Sequence, residues 1–258
     1  MFDVIRIPAF KDNYIWLLRK GASAVVVDPG DARPVLDLLE REGLTLTSIL
    51  ITHHHADHQG GVARLLENYA APVFGPAAES ITAITRPLFG GETIQLKSLD
   101  LELQVLAVPG HTLGHLAYFG SGCLFCGDTL FTGGCGRLFE GTPAQMHDSL
   151  TRLAALPEQT AVFCAHEYTE TNLRFALAVE PRNRRLRERV DEVAVARAKG
   201  WATVPSTLAL ERATNPFLRC QEAEVVATAR SRAALNNQAF SGDPLAAFSV
   251  LREWRNSF

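Results

Sequence analysis

The chain has 258 residues, 47% of them hydrophobic and 21% charged, the profile of a folded globular protein and far from that of disorder. A formal net charge of −3 excludes a global electrostatic pull toward nucleic acid or an anionic membrane surface, so the expected partner is a small molecule. The first residues carry no basic start followed by an apolar stretch, and no run approaches the roughly 18 apolar residues of a spanning helix, so the expectation is a cytoplasmic monomer.

Up to about residue 166, short β-branched apolar runs predict strands: Tyr14 to Leu18, Ala24 to Val27, Ser48 to Ile51, Leu101 to Val108, Leu116 to Phe119 and Ala161 to Phe163. Helical patterns are interleaved at Arg33 to Arg41, Gly61 to Tyr69 and Ala144 to Leu153, where Thr142 can cap and Pro143 suits the first helical position. After Glu167 the β-runs vanish, and helices are expected over Leu173 to Val179, Asn183 to Lys199, Ala223 to Ala234 and Pro244 to Trp254. The boundary is therefore placed at 166/167, an α/β part of residues 1–166 followed by an all-helical part of residues 167–258. The arginines from Arg182 to Arg189 are interrupted by Glu188 and followed by Asp191 and Glu192, which predicts a solvated, ion-paired helix face. Cys123, Cys126, Cys135, Cys164 and Cys220 are an odd set expected to stay reduced, with the CxxC of Cys123 and Cys126 read as small buried apolar groups.

The chemistry concentrates in Thr52-His53-His54-His55-Ala56-Asp57-His58-Gln59-Gly60-Gly61, between a strand and a helix. In extended chain, residues two apart share a face, so His53 and His55 point together and His54 points away. Asp57 and His58 follow as the backbone turns, which suggests a second point near the first and so a pair of metals. Imidazole and carboxylate suit zinc, manganese or iron, whereas a thiolate-rich set would suggest a closed structural zinc site. These residues do not complete two coordination shells. Further ligands are expected at later strand ends: His111 in Val108-Pro109-Gly110-His111, Asp128 in Cys126-Gly127-Asp128 and His166 in Cys164-Ala165-His166. Asp128 is the natural bridge, since one carboxylate can serve two cations. His54, His115 and His147 are read as ordinary hydrogen-bonded histidines.

HxHxDH with the later His, Asp and His resembles the metallo-β-lactamase superfamily over about the first 166 residues. The resemblance implies a four-layer αββα sandwich, with His53, His55 and His111 on one metal, Asp57, His58 and His166 on the other, and Asp128 between them. The segments Gly127-Asp128-Thr129-Leu130-Phe131, Gly134-Cys135-Gly136-Arg137, His166-Glu167-Tyr168-Thr169 with Asn172, and Asn215-Pro216-Phe217-Leu218-Arg219, with the helical extension, resemble glyoxalase II, the hydroxyacylglutathione hydrolases of methylglyoxal detoxification. That resemblance implies an enzyme with two divalent metals, zinc first and iron or manganese as alternatives. It would hydrolyse the thioester of S-D-lactoylglutathione and related S-(2-hydroxyacyl)glutathiones with a hydroxide held between the metals and oriented by Asp57. Arg137, Tyr168, Asn172 and Arg219 would bind glutathione.

Two positions depart from the pattern. Phe139 stands where many relatives have a tyrosine and cannot donate a phenolic hydrogen bond, and Cys220-Gln221-Glu222-Ala223 lacks a lysine that assists carboxylate binding in some relatives. The alternatives are an iron-dependent glutathione persulfide dioxygenase, which shares part of the Asp128 to Arg137 segment, and a non-catalytic metal-binding protein of the same fold.

Overall fold

The computed structural model describes residues 2–258. One six-stranded sheet runs in the order β1 (Asp3–Ala9), β2 (Asn13–Lys20), β3 (Ser23–Val27), β4 (Thr45–Leu50), β5 (Val73–Pro76) and β6 (Arg86–Leu88). A second sheet contains β7 (Thr93–Leu96), β8 (Leu101–Ala107), β9 (Leu116–Gly120) and β10 (Cys123–Gly127). After the two-stranded hairpin of β11 (Leu130–Phe131) and β12 (Gly134–Cys135), β13 (Ala161–Cys164) and β14 (Ser206–Thr207) complete that second sheet beside β10.

Strand alternation assigns each side chain to a layer. Trp16, Leu18, Val25, Val27 and Leu50 point between the sheets and meet Leu103, Val105, Tyr118 and Phe125 of the second. Their neighbours Leu17, Ala24, Val26 and Ile49 point outward and pack with Val35, Leu38 and Leu39 of α1 (Ala32–Glu42). Both faces of β3 and β4 are thus covered, which is why they are continuous apolar runs in a parallel pair. Short helices α2 (Ala56–Gln59) and α3 (Val62–Leu66) follow β4, and Val62 and Leu65 pack in the same outer layer. The helix expected to reach Tyr69 ends at Leu66, because the chain must turn there to enter β5. On the far side, α4 (Pro143–Ala154) begins with the expected Thr142 cap, completed by the Gln145 side chain, and Met146 and Leu150 join the core of the second sheet. The layers are αββα.

The helical region comprises α5 (Thr169–Val179), α6 (Arg184–Ala198), α7 (Leu208–Thr214), α8 (Ala223–Leu235) and α9 (Pro244–Ser257). The expectation that strands cease after Glu167 is corrected by β14, which pairs antiparallel with β13 and stitches this region to the second sheet. Two residues carry no periodicity to detect, and only the neighbouring edge makes them a strand. Arg189 also departs from the solvated face: Arg182, Arg184 and Arg185 pair with surface glutamates, while Arg189 is 2% exposed against Glu211.

Topology brings the functional strand ends together. β8 and β10 are both antiparallel to β9, and β13 is parallel to β10, so the C-terminal ends of these three lie on one edge. β3 and β4 are parallel, and β2, antiparallel to β3, starts where β3 ends. The edges are joined by Tyr14 N donating to Ala165 O at 2.7 Å and Glu167 N to Asp12 O at 2.9 Å. Leu103→Ala, at a fully buried site between the sheets, should lower the unfolding free energy by roughly 2–5 kcal/mol. Leu235→Ala, at an exposed helix end, should change it by less than about 0.5 kcal/mol. Urea unfolding monitored by circular dichroism measures both.

Candidate metal centre and substrate cleft

β4 ends one turn before the histidine cluster, and this loop is wound tightly on the β3–α1 turn. A Cβ on Gly30 would lie 1.8 Å from Asp57 O, so only glycine lets the two segments meet. Asp28, at the end of β3, takes a left-handed φ of 51° that aims its carboxylate inward. It accepts from Thr52 N at 2.7 Å, Thr52 Oγ1 at 2.7 Å and His58 Nδ1 at 3.0 Å.

Four of the five candidate imidazoles, all but His55, are held by one nitrogen and offer the other. His58 Nδ1 donates to Asp28, His166 Nδ1 to Asp12 Oδ1 at 3.0 Å, and His111 Nδ1 to Arg137 O at 2.7 Å. The Thr52 hydroxyl hydrogen is directed at Asp28, so His53 Nδ1 donates to Thr52 Oγ1 at 3.0 Å. The Nε2 lone pairs of all four therefore face the interior, the arrangement that carboxylate and carbonyl partners impose on metal-binding histidines. His53 Nε2 and His111 Nε2 each lie 3.0 Å from His55 Nδ1. Three imidazole nitrogens at such spacing repel unless a cation or a proton lies among them.

The second group is Asp57, His58 and His166, with Asp57 Oδ2 lying 3.5 Å from His58 Nε2 and 3.6 Å from His166 Nε2. Asp128 joins the two groups. Its Oδ1 lies 3.5 Å from His58 Nε2 and 3.3 Å from His166 Nε2, and its Oδ2 lies 3.4 Å from His111 Nε2. All seven candidate ligands are thus gathered at one strand edge. His58 Nε2 and Asp128 Oδ1 are buried without any hydrogen-bond partner, an arrangement that costs free energy in a protein lacking an ion. The donor set of imidazole and carboxylate, without thiolate, fits a dinuclear site for divalent cations.

Electrostatics agree. Burial pushes the pKa values of His53, His55 and His111 down, so these rings are neutral and their lone pairs available. Burial also opposes charge on His58, but the Asp128 and Asp28 carboxylates outweigh it and draw positive charge to this point. Burial works likewise against charge on Asp128, and the imidazoles of His166 and His58 overcome it, keeping the carboxyl ionised. The field that would hold a proton on His58 would hold a metal cation as well.

None of the other histidines joins the ligand groups. His54 is directed away, with Nδ1 3.1 Å from Glu79 and Nε2 3.3 Å from Glu140. His147 lies against Phe248. His115 is fully buried, stacks on His53 with centroids 4.6 Å apart, and its Nε2 accepts from Asp128 N at 3.2 Å, so it braces the cluster without ligating.

A cleft of about 220 Å³ opens beside the cluster, lined by Phe131, Cys135, Arg137, Tyr168, Arg252, Arg255 and Asn256. Tyr168 forms the shared wall, its ring stacked on His166 at 4.7 Å and 5°. Of the residues expected to bind substrate, Arg137 and Tyr168 line this cleft. Asn172 lies beneath it, 4% exposed, donating to Thr132 O at 3.2 Å and accepting from Arg255 Nη2 at 3.4 Å. Arg219 is not brought to this cleft. Its guanidinium is occupied by buried Glu180 at 2.9 to 3.1 Å and by Arg212 O at 3.1 Å, and it does not line the cleft. Arg252 and Arg255 line the cleft instead, and their only signal in the sequence is a three-residue spacing on one face of the last helix. Phe139, 59% exposed, sets its ring edge-on to His55 and His111 and so forms an apolar rim at the cluster.

An αββα sandwich that gathers imidazoles and carboxylates from four strand ends around one shared carboxylate is the dinuclear architecture of the metallo-β-lactamase superfamily, and residues 10–166 match the model of that family. Residues 167–258 match the family described as hydroxyacylglutathione hydrolase C-terminus. Over its whole length the chain is 58% identical to a hydroxyacylglutathione hydrolase of Dechloromonas aromatica, which it also covers fully. Among solved structures, ETHE1 from Myxococcus xanthus is 28% identical with a TM-score of 0.63, covering 86% of this chain and 90% of its own. TTHA1623 in a di-iron-bound form is 28% identical with a TM-score of 0.59, covering 84% of this chain and 100% of its own. The chain belongs to the hydroxyacylglutathione hydrolase family.

Two substitutions separate the roles. Asp128→Ala should lower the metal content from two ions per chain to one or fewer, read by elemental analysis of dialysed protein; a ratio that stays at two would refute the bridging assignment. Arg219→Ala should leave KM unchanged and cost roughly 1–3 kcal/mol of stability, because it strands the buried Glu180 carboxylate.

Proposed function

We propose that the chain hydrolyses the thioester of S-D-lactoylglutathione and related S-(2-hydroxyacyl)glutathiones to a 2-hydroxy acid and glutathione. The observation that carries this reading is the arginine-lined cleft sharing a wall, Tyr168, with the metal-ligand cluster. Such a cleft suits a substrate that is anionic at one end and reactive at the other. The full-length relationship to hydroxyacylglutathione hydrolases supports the same substrate. The match of residues 167–258 to their C-terminal family disfavours the persulfide dioxygenase alternative.

Two divalent cations, held by His53, His55 and His111 and by Asp57, His58 and His166 with Asp128 common to both, would lower the pKa of water toward neutrality and polarise the thioester carbonyl. Zinc is the ion we assign, since the nitrogen and oxygen donors suit it and the reaction needs no redox change; iron or manganese would satisfy the same donors. Asp57 is held by Asn13 Nδ2 at 2.9 Å. Burial raises its pKa, but His58 and Asn13 more than offset that, so it stays a carboxylate that can orient a water and accept its hydrogen. Arg137 and Arg255 would hold the glycyl and glutamyl carboxylates, converting remote binding energy into placement of the carbonyl over the cluster. Tyr168 would fix the tripeptide against His166, with Asn172 keeping Arg255 in position. Phe139 would face the acyl group rather than bind the peptide, lacking a hydroxyl to donate. The water oriented by Asp57, its hydrogen taken by the carboxylate, would form the new C–O bond at the thioester carbon, and the C–S bond would break as the carbonyl re-forms, releasing glutathione as its thiolate.

We assign residues 1–166 to the catalytic domain and 167–258 to a substrate-binding helical domain, because the ligands come from the first and Arg252 and Arg255 from the second. All parts of the site come from one chain, which supports a monomer. Among the described residues no helix is long and apolar enough to cross a membrane, and the five cysteines are free thiols, which supports a reducing, cytoplasmic setting. Purified metal-loaded protein should release thiol from S-D-lactoylglutathione and consume no oxygen with glutathione persulfide. Arg255→Ala should raise KM at least about tenfold with a smaller change in kcat, as loss of a charge-assisted contact predicts. Absence of thiol release at full metal loading would overturn the reading.

A further inference from the structure

The hairpin of β11 and β12 lies between Asp128 and Arg137, and its backbone polar groups are satisfied by side chains of the helical region. Asn215 Nδ2 donates to Gly134 O at 2.9 Å and Phe131 O at 3.3 Å. Arg252 Nη1 donates to Cys135 O at 3.0 Å. At the tip, Gly133 N donates to Glu211 Oε2 at 2.8 Å. Glu211 is fully buried, and its other oxygen accepts from Arg189 and from Ser206 Oγ at 2.5 Å. Gly133 takes a left-handed φ of 70°, and a Cβ there would lie 2.7 Å from Leu173 Cδ2, so the tip is pressed against α5 with no room to shift.

The far end of the hairpin returns onto the metal cluster. Gly136 N donates to Thr129 O at 3.2 Å, and a Cβ on Gly136 would lie 1.9 Å from Asp128 O. The next residue, Arg137, accepts from the ligand His111 through its carbonyl and lines the cleft through its side chain. The hairpin is therefore a rigid link whose displacement would move the shared carboxylate, a histidine's anchor and a substrate-facing arginine together. A charged network this dry is costly to build unless it holds something in place.

We propose that Glu211 is a positioning residue: through the Gly133 amide it sets the Asp128 to Arg137 segment, so that the helical region determines metal affinity as well as substrate binding. This rests on the metal reading above, and Glu211 itself touches neither metal ligand nor cleft. Arg189 serves to keep the Glu211 carboxylate aimed.

The test removes the ion pair in two ways. Arg189→Met with Glu211→Gln leaves a side-chain oxygen that can still accept from Gly133 N, whereas Arg189→Met with Glu211→Met has no acceptor of similar size. Melting temperatures, metal affinity by competition with a chromophoric chelator, and KM and kcat for S-D-lactoylglutathione are measured for both and for the wild type. The glutamine form should hold metal within about threefold of the wild type. The methionine form should bind the second equivalent about ten- to a hundredfold more weakly, the range seen when partners of metal ligands are removed, with a raised KM and a melting temperature close to that of the glutamine form. Equal metal affinity and KM in the two forms would overturn the proposal and leave Glu211 a purely stabilising group. Should the methionine form not fold, amide exchange in the wild type decides. Gly133 should exchange as slowly as the amides of β10, and exchange at the rate of an exposed turn would overturn the proposal. Wild-type protein that binds two metals but does not hydrolyse the thioester would sink the functional reading while leaving the affinity comparison intact.

Discussion

Electrostatic convergence is the constraint on which the rest depends. The Nε2 atoms of His53 and His111, each 3.0 Å from His55 Nδ1, and a buried carboxylate whose Oδ1 lacks any partner form a negative, lone-pair-rich hollow. In a medium of low dielectric, such a hollow is unfavourable alone and favourable around cations. Nothing in the local packing would assemble it spontaneously. The sheets, their matched strand directions and the bracing groups Asp28, Asp12, Thr52 and His115 are the structure's answer to that cost.

The bracing groups explain why the site is narrow in its chemistry. Four candidate ligand histidines, His53, His58, His111 and His166, have their second nitrogen committed to a partner, so tautomer and ring orientation are set before an ion arrives. Asp28 serves the loop backbone, Thr52 and His58 at once, and the strained φ it adopts is offset by three hydrogen bonds. The helical region extends the same logic outward. It supplies Arg252 and Arg255 to the cleft, Asn172 beneath it, and the buried Glu211 and Asn215 that grip the hairpin. The cleft wall and the candidate metal ligands thus meet in one segment, from Asp128 to Arg137. At the rim Phe139 offers only an apolar edge, against His55 and His111.

Much of the α/β part was legible because its signals are local. β3 and β4 are β-branched runs buried on both faces, β8 alternates apolar and polar residues, and Thr142-Pro143 followed by Gln145 announces α4 through a cap. The weaker elements escaped for identifiable reasons. β14 is two residues long and exists only as an edge of β13, while α3 stops short of Tyr69 because the chain turns there into β5. Arg189 sits in a charged sequence yet is buried, since helix periodicity alone does not say which face another helix covers. Arg219 follows a recognisable motif, but its partner Glu180 is 39 residues away and, with the Arg212 carbonyl, engages the guanidinium.

What the sequence by itself determined was the ligand inventory: residue types, their spacing after β4, and the recurrence of His or Asp just beyond later strand ends. Those follow from chain geometry within a few residues, where an extended backbone dictates which side chains share a face. Only the tertiary structure decided which charges meet. Whether an arginine lines the cleft, as Arg255 does, or pairs with a buried glutamate, as Arg189 and Arg219 do, depends on contacts between residues far apart in the chain. Pairing energy depends on separation and burial, and neither is encoded locally.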